Sequence, residues 1–138
     1  MRGERAPLAL RLVFLGKHLD HLMERRLASR GVNRTQAIAL MALRRRPGLK
    51  ALELCPHTSV EPANVTRTLQ SLERLGLLER RPHPTDGRAS LFYLTAAGDS
   101  LARDLSEEVE KFSAELLQGA EPSETDCLEK GLDSIRRA

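Results

Sequence analysis

Residues 72–98 read LERLGLLERRPHPTDGRASLFYLTAAG, with two strand-like runs on either side of a polar turn. The runs, 77–81 and 91–95, are rich in leucine or aromatic residues, and the segment between them holds an Asp-Gly pair and prolines. Such a pattern is typical of a β-hairpin. We therefore predict a hairpin with a long, basic tip at residues 82–90.

A helix is predicted immediately before this hairpin. Glu61-Pro62 is a start signal, because proline is tolerated at the first helical position, and Gly76 is a stop signal. A shorter helix of about two turns is predicted within residues 49–60, although Pro56 would interrupt the interior of a helix. A short helix, a turn, a second helix and a hairpin have the layout of a winged helix-turn-helix.

The flanking segments are predicted to be helical as well. Helices of about residues 7–29 and 34–46 precede this unit, the second capped by Asn33 or Thr35. A helix of about residues 96–118 follows, and a short last helix is predicted after Gly119, where Pro122 and Ser123 restart the chain with Asp126 three residues on. The predicted fold class is mainly α with a small β-hairpin wing.

The first and last helices carry more apolar surface than a small domain usually buries, so a partner helix is implied. The positions that we assign to this interface share a helical stripe at the two ends of the chain. They are Leu8, Leu12, Leu15, Leu19, Phe112, Leu116, Leu132 and Ile135.

Charge is distributed unevenly along the 138 residues. The formal net charge of +3 divides into +1 for residues 1–24, +8 for residues 25–95 and −6 for residues 96–138. A basic centre favours a polyanionic partner, of which nucleic acid is the first candidate, although a solvated helical surface would also carry such charges.

The predicted helix after Glu61 has the profile of a DNA recognition helix. On a helical wheel its apolar residues share one face, and small, polar and basic residues occupy the other. Arg67 is the strongest candidate for base contact, with Asn64, Thr66 and Gln70 beside it.

The hairpin tip adds further candidates. Arg88 could enter a minor groove, whereas Asp86 is expected to shape the turn or hold an arginine. Lys50, Arg80 and Arg81 are weaker candidates for phosphate contact, because the strand arginines could pair with neighbouring acids.

Residues 31–105 resemble the MarR family of bacterial transcription regulators. The resemblance lies in LERLGLLERRP at residues 72–82, DGR at 86–88, LTAAG at 94–98 and VTR at 65–67. Gly87 stands where the family often has a wing arginine, and Pro56 and Thr58 stand where it usually continues a helix.

The resemblance implies a homodimer in which the terminal helices of two subunits interlock and two winged lobes bind a palindromic operator in double-stranded DNA. It also implies release by a small-molecule effector, often aromatic, and a repressor role. Accordingly, we interpret residues 1–138 as a single MarR-like domain, with a DNA-binding lobe at about 30–95 and dimerisation helices at about 6–29 and 96–138.

Several classes of protein are not expected. There is no glycine-rich phosphate loop, nucleophile elbow or His-Glu-x-x-His, so an enzyme is not predicted, and neither a cofactor nor a metal is implied. No apolar run approaches membrane-spanning length, and Arg2, Glu4 and Arg5 match a signal peptide poorly, so a cytoplasmic protein with no membrane partner is expected.

Three alternatives stay open. The winged helix could serve a protein partner instead of DNA, in which case binding should survive moderate salt. A redox-responsive regulator would depend on Cys55 or Cys127. A metal-responsive regulator would use His18, His21 and Glu24 on one helix face, with a further ligand from another helix.

Overall fold

The computed structural model describes residues 6–58 and 60–138, apart from the side chain of His57. Met1–Arg5, on which part of the signal-peptide interpretation depends, therefore lie outside the described residues. The elements, in chain order, are α1 (Leu8–Leu27), a 3-10 turn (Ala28–Arg30), α2 (Arg34–Arg45), α3 (Ala51–Thr58), α4 (Pro62–Arg74), β1 (Leu78–Pro82), β2 (Ser90–Leu94), α5 (Ala96–Leu116) and α6 (Pro122–Arg137). This order confirms the predicted fold class of helices with one antiparallel hairpin.

The starts of α2 and α4 follow the sequence signals. Of the two candidate caps for α2, Asn33 is the one used: its side chain accepts the Gln36 N–H at 2.9 Å, and the Gln36 side chain accepts the Asn33 N–H at 2.9 Å. This reciprocal pair satisfies two amides that the helix itself leaves unbonded. Pro62 occupies the first turn of α4, where a missing N–H has no consequence.

The segment before α4 differs in two ways from the prediction. Pro56 does not interrupt the helix but lies inside α3, and the buried Thr58 hydroxyl donates back to carbonyls of the same helix, with Leu54 O at 3.3 Å. Leu49 was expected to belong to this helix and instead forms a β-bridge with Phe92. The Phe92 N–H donates to Leu49 O at 3.0 Å, so the wing is anchored to the chain that leads into α3.

By backbone contacts the chain divides into a unit ending at Glu108 and a unit of residues 109–138. The first unit holds the main apolar core, in which leucines of α2, α3 and α4 are fully buried. The most deeply buried large side chains in this core include Leu40, Leu43, Leu54, Leu69 and Leu72. Burial of a leucine side chain contributes roughly 1.5–3 kcal/mol to the free energy of folding, so the apolar face of α4 is held firmly in this core.

The hairpin, the end of α4 and the start of α5 meet at one backbone junction. The Thr95 hydroxyl donates to Gly76 O at 2.7 Å and accepts the Gly98 N–H at 3.1 Å, and the Thr95 N–H donates to Leu77 O at 3.1 Å. Thr95 therefore caps α5, as predicted, and also binds the chain just after α4. Gly98 is required here because a Cβ at this position would lie 2.0 Å from Leu77 O.

The second unit contains the end of α5 and all of α6. The last helix has 16 residues and is longer than predicted. Its cap also differs: Glu121 and Glu124 form the reciprocal pair, in place of Ser123 and Asp126, because the helix begins directly at Pro122. In the part of the chain that is described, no helix is both long enough and apolar enough to cross a membrane.

Replacement of Gly98 by alanine should destabilise the protein by about 1–3 kcal/mol, since the new methyl group can be accommodated only if backbone moves. The measurement is the urea unfolding midpoint at a fixed protein concentration. Gly16→Ala in α1 is the matched control, because no atom lies within 4 Å of its added Cβ, and it should be neutral or stabilising. Equal midpoints for the two variants would contradict this account of the junction.

Candidate nucleic-acid interface

A groove separates the outward face of α4 from the wing. It is open to solvent, has a volume of about 400 Å³, and is floored by the buried side chains of Leu69 and Phe92. Five of the residues predicted to bind DNA line it: Lys50, Thr66, Gln70, Arg80 and Arg88. The structure thus brings together residues that are up to 38 positions apart in the sequence (50 to 88).

The other predicted DNA-binding residues lie elsewhere. Arg67 is exposed on α4 but does not line the groove, and Asn64 borders a separate recess next to Cys55 and Pro62. Arg81 lines a third recess with Arg44 and Tyr93. The predicted set therefore covers the outer surface of α4 and two separate regions of the hairpin.

The arginines of this lobe fall into two groups by their ion pairs. Arg80 contacts Glu73 of α4 at 3.1 Å and lies 5.4 Å from the centre of the Phe92 ring. Arg81 pairs with Glu79, with Nε 2.8 Å from Oε1, and lies over Tyr93 at 4.1 Å from the ring centre. Both pairs are at the surface, where such contacts contribute little to stability, but they reduce the positive charge that the strand presents.

A second group of arginines is exposed and has no acidic partner. Among the described residues, no carboxylate lies within 4.0 Å of the guanidinium of Arg67, Arg74 or Arg88. An unpaired guanidinium retains all five donors for a phosphate or a base edge. The cationic groups of α4 and of the wing tip therefore leave uncompensated positive charge on this surface.

A side-chain hydrogen bond joins α4 to α2. Gln36 of α2 donates through Nε2 to the Ser71 hydroxyl at 3.1 Å. On the exposed side, the Thr66 hydroxyl donates to Pro62 O at 3.1 Å, a bond within α4 itself. Of these two contacts, the one from Gln36 fixes α4 relative to its neighbour α2.

Two side chains organise the loop at the wing tip. Asp86 accepts the Arg88 N–H at 3.1 Å through Oδ1, and the His83 ring nitrogen Nδ1 accepts the N–H groups of Asp86 at 3.0 Å and Thr85 at 3.2 Å. The contact made by Asp86 is of the turn-forming kind expected from the sequence. The part played by His83 was missed, because a histidine gives no turn signal comparable to that of asparagine or aspartate.

The candidate sensing residues do not form a cluster. Cys55 is half-buried and Cys127 is exposed. Across residues 6–58 and 60–138, no group of three or more histidine, cysteine, aspartate and glutamate side chains could hold a metal ion. His18, His21 and Glu24 are exposed on α1 and do not themselves form such a group.

A helix-turn-helix followed by a wing, with unpaired arginines on both, defines a winged helix-turn-helix protein. Residues 30–89 match the model of the MarR family. An uncharacterized HTH-type transcriptional regulator of Mycobacterium bovis is 30% identical over 128 residues, which cover 93% of this chain and 90% of that protein.

Solved structures agree with this match. A mutant of MarR from E. coli complexed with operator DNA superposes with a TM-score of 0.84 at 26% identity, covering 94% of each chain. A Mycobacterium tuberculosis MarR family protein in complex with salicylic acid superposes with a TM-score of 0.76 at 27% identity, covering 96% of this chain and 98% of that one. The chain belongs to the MarR family. It is a transcriptional regulator with a DNA-binding fold and not an enzyme.

Removal of the Asp86 carboxylate should loosen the loop next to Arg88. In Asp86→Ala the Arg88 amide loses its acceptor, and its solvent-exchange rate, measured by NMR, should rise about two- to tenfold. Asp86→Asn keeps an oxygen at the same position and should exchange at the rate of the unmodified protein. An unchanged rate in the alanine variant would show that the contact does not hold the loop.

Proposed function

We propose that the protein is a homodimer that binds a palindromic operator in double-stranded DNA and represses transcription until a small-molecule effector releases it. In each subunit Arg67 contacts base edges from α4, with Asn64, Thr66 and Gln70 beside it. Arg88 enters the adjacent minor groove, and Lys50 contacts phosphate. Arg81 contributes less, because its charge is shared with Glu79.

The observation that carries this proposal is the set of unpaired cationic side chains on α4 and the wing. Their neighbours Arg80 and Arg81 are neutralised by acids, whereas Arg67 and Arg88 are not, among the residues that the structure describes. Uncompensated exposed positive charge attracts a polyanion. The E. coli relative bound to operator DNA supports the same conclusion.

Dimerisation is proposed from apolar surface that the single chain leaves exposed. No residue of α6, which is described throughout, is buried, yet Leu128, Leu132 and Ile135 recur along one of its faces. Leu8, Leu15 and Leu116 are also exposed, and Leu12 and Leu19 are half-buried. Phe112, by contrast, is already only 5% exposed in the single chain, so we assign it a smaller share of the interface.

The proposal of an effector is supported by the salicylic acid bound to the M. tuberculosis relative. A small molecule can release DNA only if it binds one arrangement of the two lobes more tightly than the other. We therefore propose an aromatic anion as the class of effector and assign no residues to its site.

Selection of binding sites from a random duplex library by the full chain tests this proposal. An enriched palindrome with half-sites about one helical turn apart is expected. Affinity for the selected duplex should fall about a hundredfold between roughly 50 and 200 mM salt, if about four phosphates are neutralised. Binding without enrichment would exclude a sequence-specific regulator, and the absence of any binding would favour a protein partner.

Arg67→Ala should weaken binding to the selected duplex by about 1–3 kcal/mol and reduce discrimination against base changes. Arg103→Ala on α5 is the control, because it removes the same formal charge from an arginine that is paired with Asp99. The measurement is a fluorescence anisotropy titration on selected and random duplexes. An equal loss on both duplexes would contradict base contact by Arg67 and assign it to phosphate.

Leu132→Glu should shift the protein from dimer to monomer at micromolar concentration, because a carboxylate would be buried in an apolar interface. Leu52→Glu in α3 is the matched control, since Leu52 is 70% exposed, against 54% for Leu132, but lies in the DNA-binding lobe. Sedimentation velocity distinguishes the two states. A dimeric Leu132→Glu protein would exclude α6 from the interface.

A further inference from the structure

The wing tip closes around one imidazole nitrogen. Pro84 has no N–H, so the first amides available after His83 are those of Thr85 and Asp86, and both donate to His83 Nδ1, at 3.2 and 3.0 Å. The Thr85 hydroxyl lies 3.4 Å from the same nitrogen. This pattern of a side-chain acceptor for the amides two and three residues later is the one that asparagine and aspartate form in turns.

Acceptance of two amide protons defines the chemical state of the ring. Nδ1 can accept only if its lone pair is free, which is the case in the neutral imidazole with its proton on Nε2. Protonation converts Nδ1 into a donor that faces two other donors. These two contacts therefore require neutral His83 and are lost in the imidazolium form, whereas the backbone bonds from the His83 N–H to Ala89 O at 3.2 Å and from the Ala89 N–H to Asp86 O at 3.1 Å do not involve the ring.

We propose that His83 is a positioning residue for operator binding, whose neutral side chain closes the wing tip and so makes DNA affinity fall as the pH is lowered. The proposal rests on the proposed DNA-binding function. The link to DNA is short in sequence and in space: His83 holds the Asp86 N–H, and Asp86 in turn accepts the Arg88 N–H at 3.1 Å. His83 acts through Arg88 and need not touch DNA.

The charged groups around the tip do not replace this contact. Asp86 and Arg88 belong to the loop itself, Arg81 and Arg80 lie on β1, and Lys50 faces the loop across the groove. Among the described residues, none of the carboxylates forms an ion pair with His83 that would favour its charged form. Protonation therefore removes two hydrogen bonds that no existing ion pair compensates.

The pH dependence follows from this arrangement. Only its sign is fixed by the geometry: the two contacts to Nδ1 exist with the neutral ring and are lost with the imidazolium, so affinity should fall as the pH is lowered. The loss of two amide hydrogen bonds should lower affinity about three- to tenfold. A histidine that contacted phosphate directly would show the opposite trend, because its charged form would bind more tightly.

Operator affinity of the full chain is measured at pH 8 and pH 5.5 for the unmodified protein and for two variants. Asparagine places Oδ1 where histidine places Nδ1 and does not titrate, so His83→Asn should bind as the unmodified protein does at pH 8 and should keep that affinity at pH 5.5. His83→Ala lacks an acceptor and should be about three- to tenfold weaker at pH 8. Comparison with the asparagine variant removes any contribution from His18, His21 and His57, which all the proteins share.

A second readout does not require DNA. The Thr85 and Asp86 amides of the free protein should be protected from solvent exchange at pH 8 in the unmodified protein and in His83→Asn, but not in His83→Ala. Equal pH dependence of DNA affinity in the unmodified protein and His83→Asn would overturn the inference, as would full affinity of His83→Ala at pH 8. If none of the three proteins binds any duplex while the amides behave as expected, the DNA-binding function fails and the closure of the loop by His83 stands.

Discussion

The close approach of Gly98 to the Leu77 carbonyl is the constraint on which the arrangement of the lobe depends. A side chain at residue 98 cannot be accommodated there, and Thr95 reinforces the contact by binding both Gly76 O and the Gly98 N–H. The end of α4, the start of β1, the end of β2 and the start of α5 all meet at this contact. The wing therefore has a fixed direction relative to α4, and a groove of defined width can form between them.

The arginines considered in this lobe divide into those that pair with acids and those that have no acidic partner among the described residues. Glu73 and Glu79 pair with Arg80 and Arg81, and both arginines lie over aromatic rings of β2. Arg67 and Arg88 have no such partner among the described residues. The number of arginines in the wing therefore overstates its uncompensated positive charge. The DNA contact that we propose for the tip depends on Arg88 and on His83 and Asp86, which shape the loop around it.

Much of the architecture follows from residue spacing. The leucine periods predicted the helices, Pro62 and Asn33 predicted two helix starts, and the runs around Asp86-Gly87 predicted the hairpin. What spacing could not predict depends on tertiary contacts: Leu49 pairs with Phe92, and Pro56 is tolerated inside α3. The pairing of the strand arginines with neighbouring acids was predicted, but not which acid each one contacts. The acceptor role of His83 was missed for a different reason: its partners lie only two and three residues away, but histidine is not a recognised turn former.

The lack of buried residues in α6 has a consequence for the life of the protein in a cell. An isolated copy would display a row of leucines and an isoleucine on its last helix, the kind of surface that chaperones and proteases recognise. If a second copy covers this row, newly made chains would survive only once they have found each other. The amount of regulator would then rise more steeply than its rate of synthesis, and small changes in expression would be amplified before any DNA is bound.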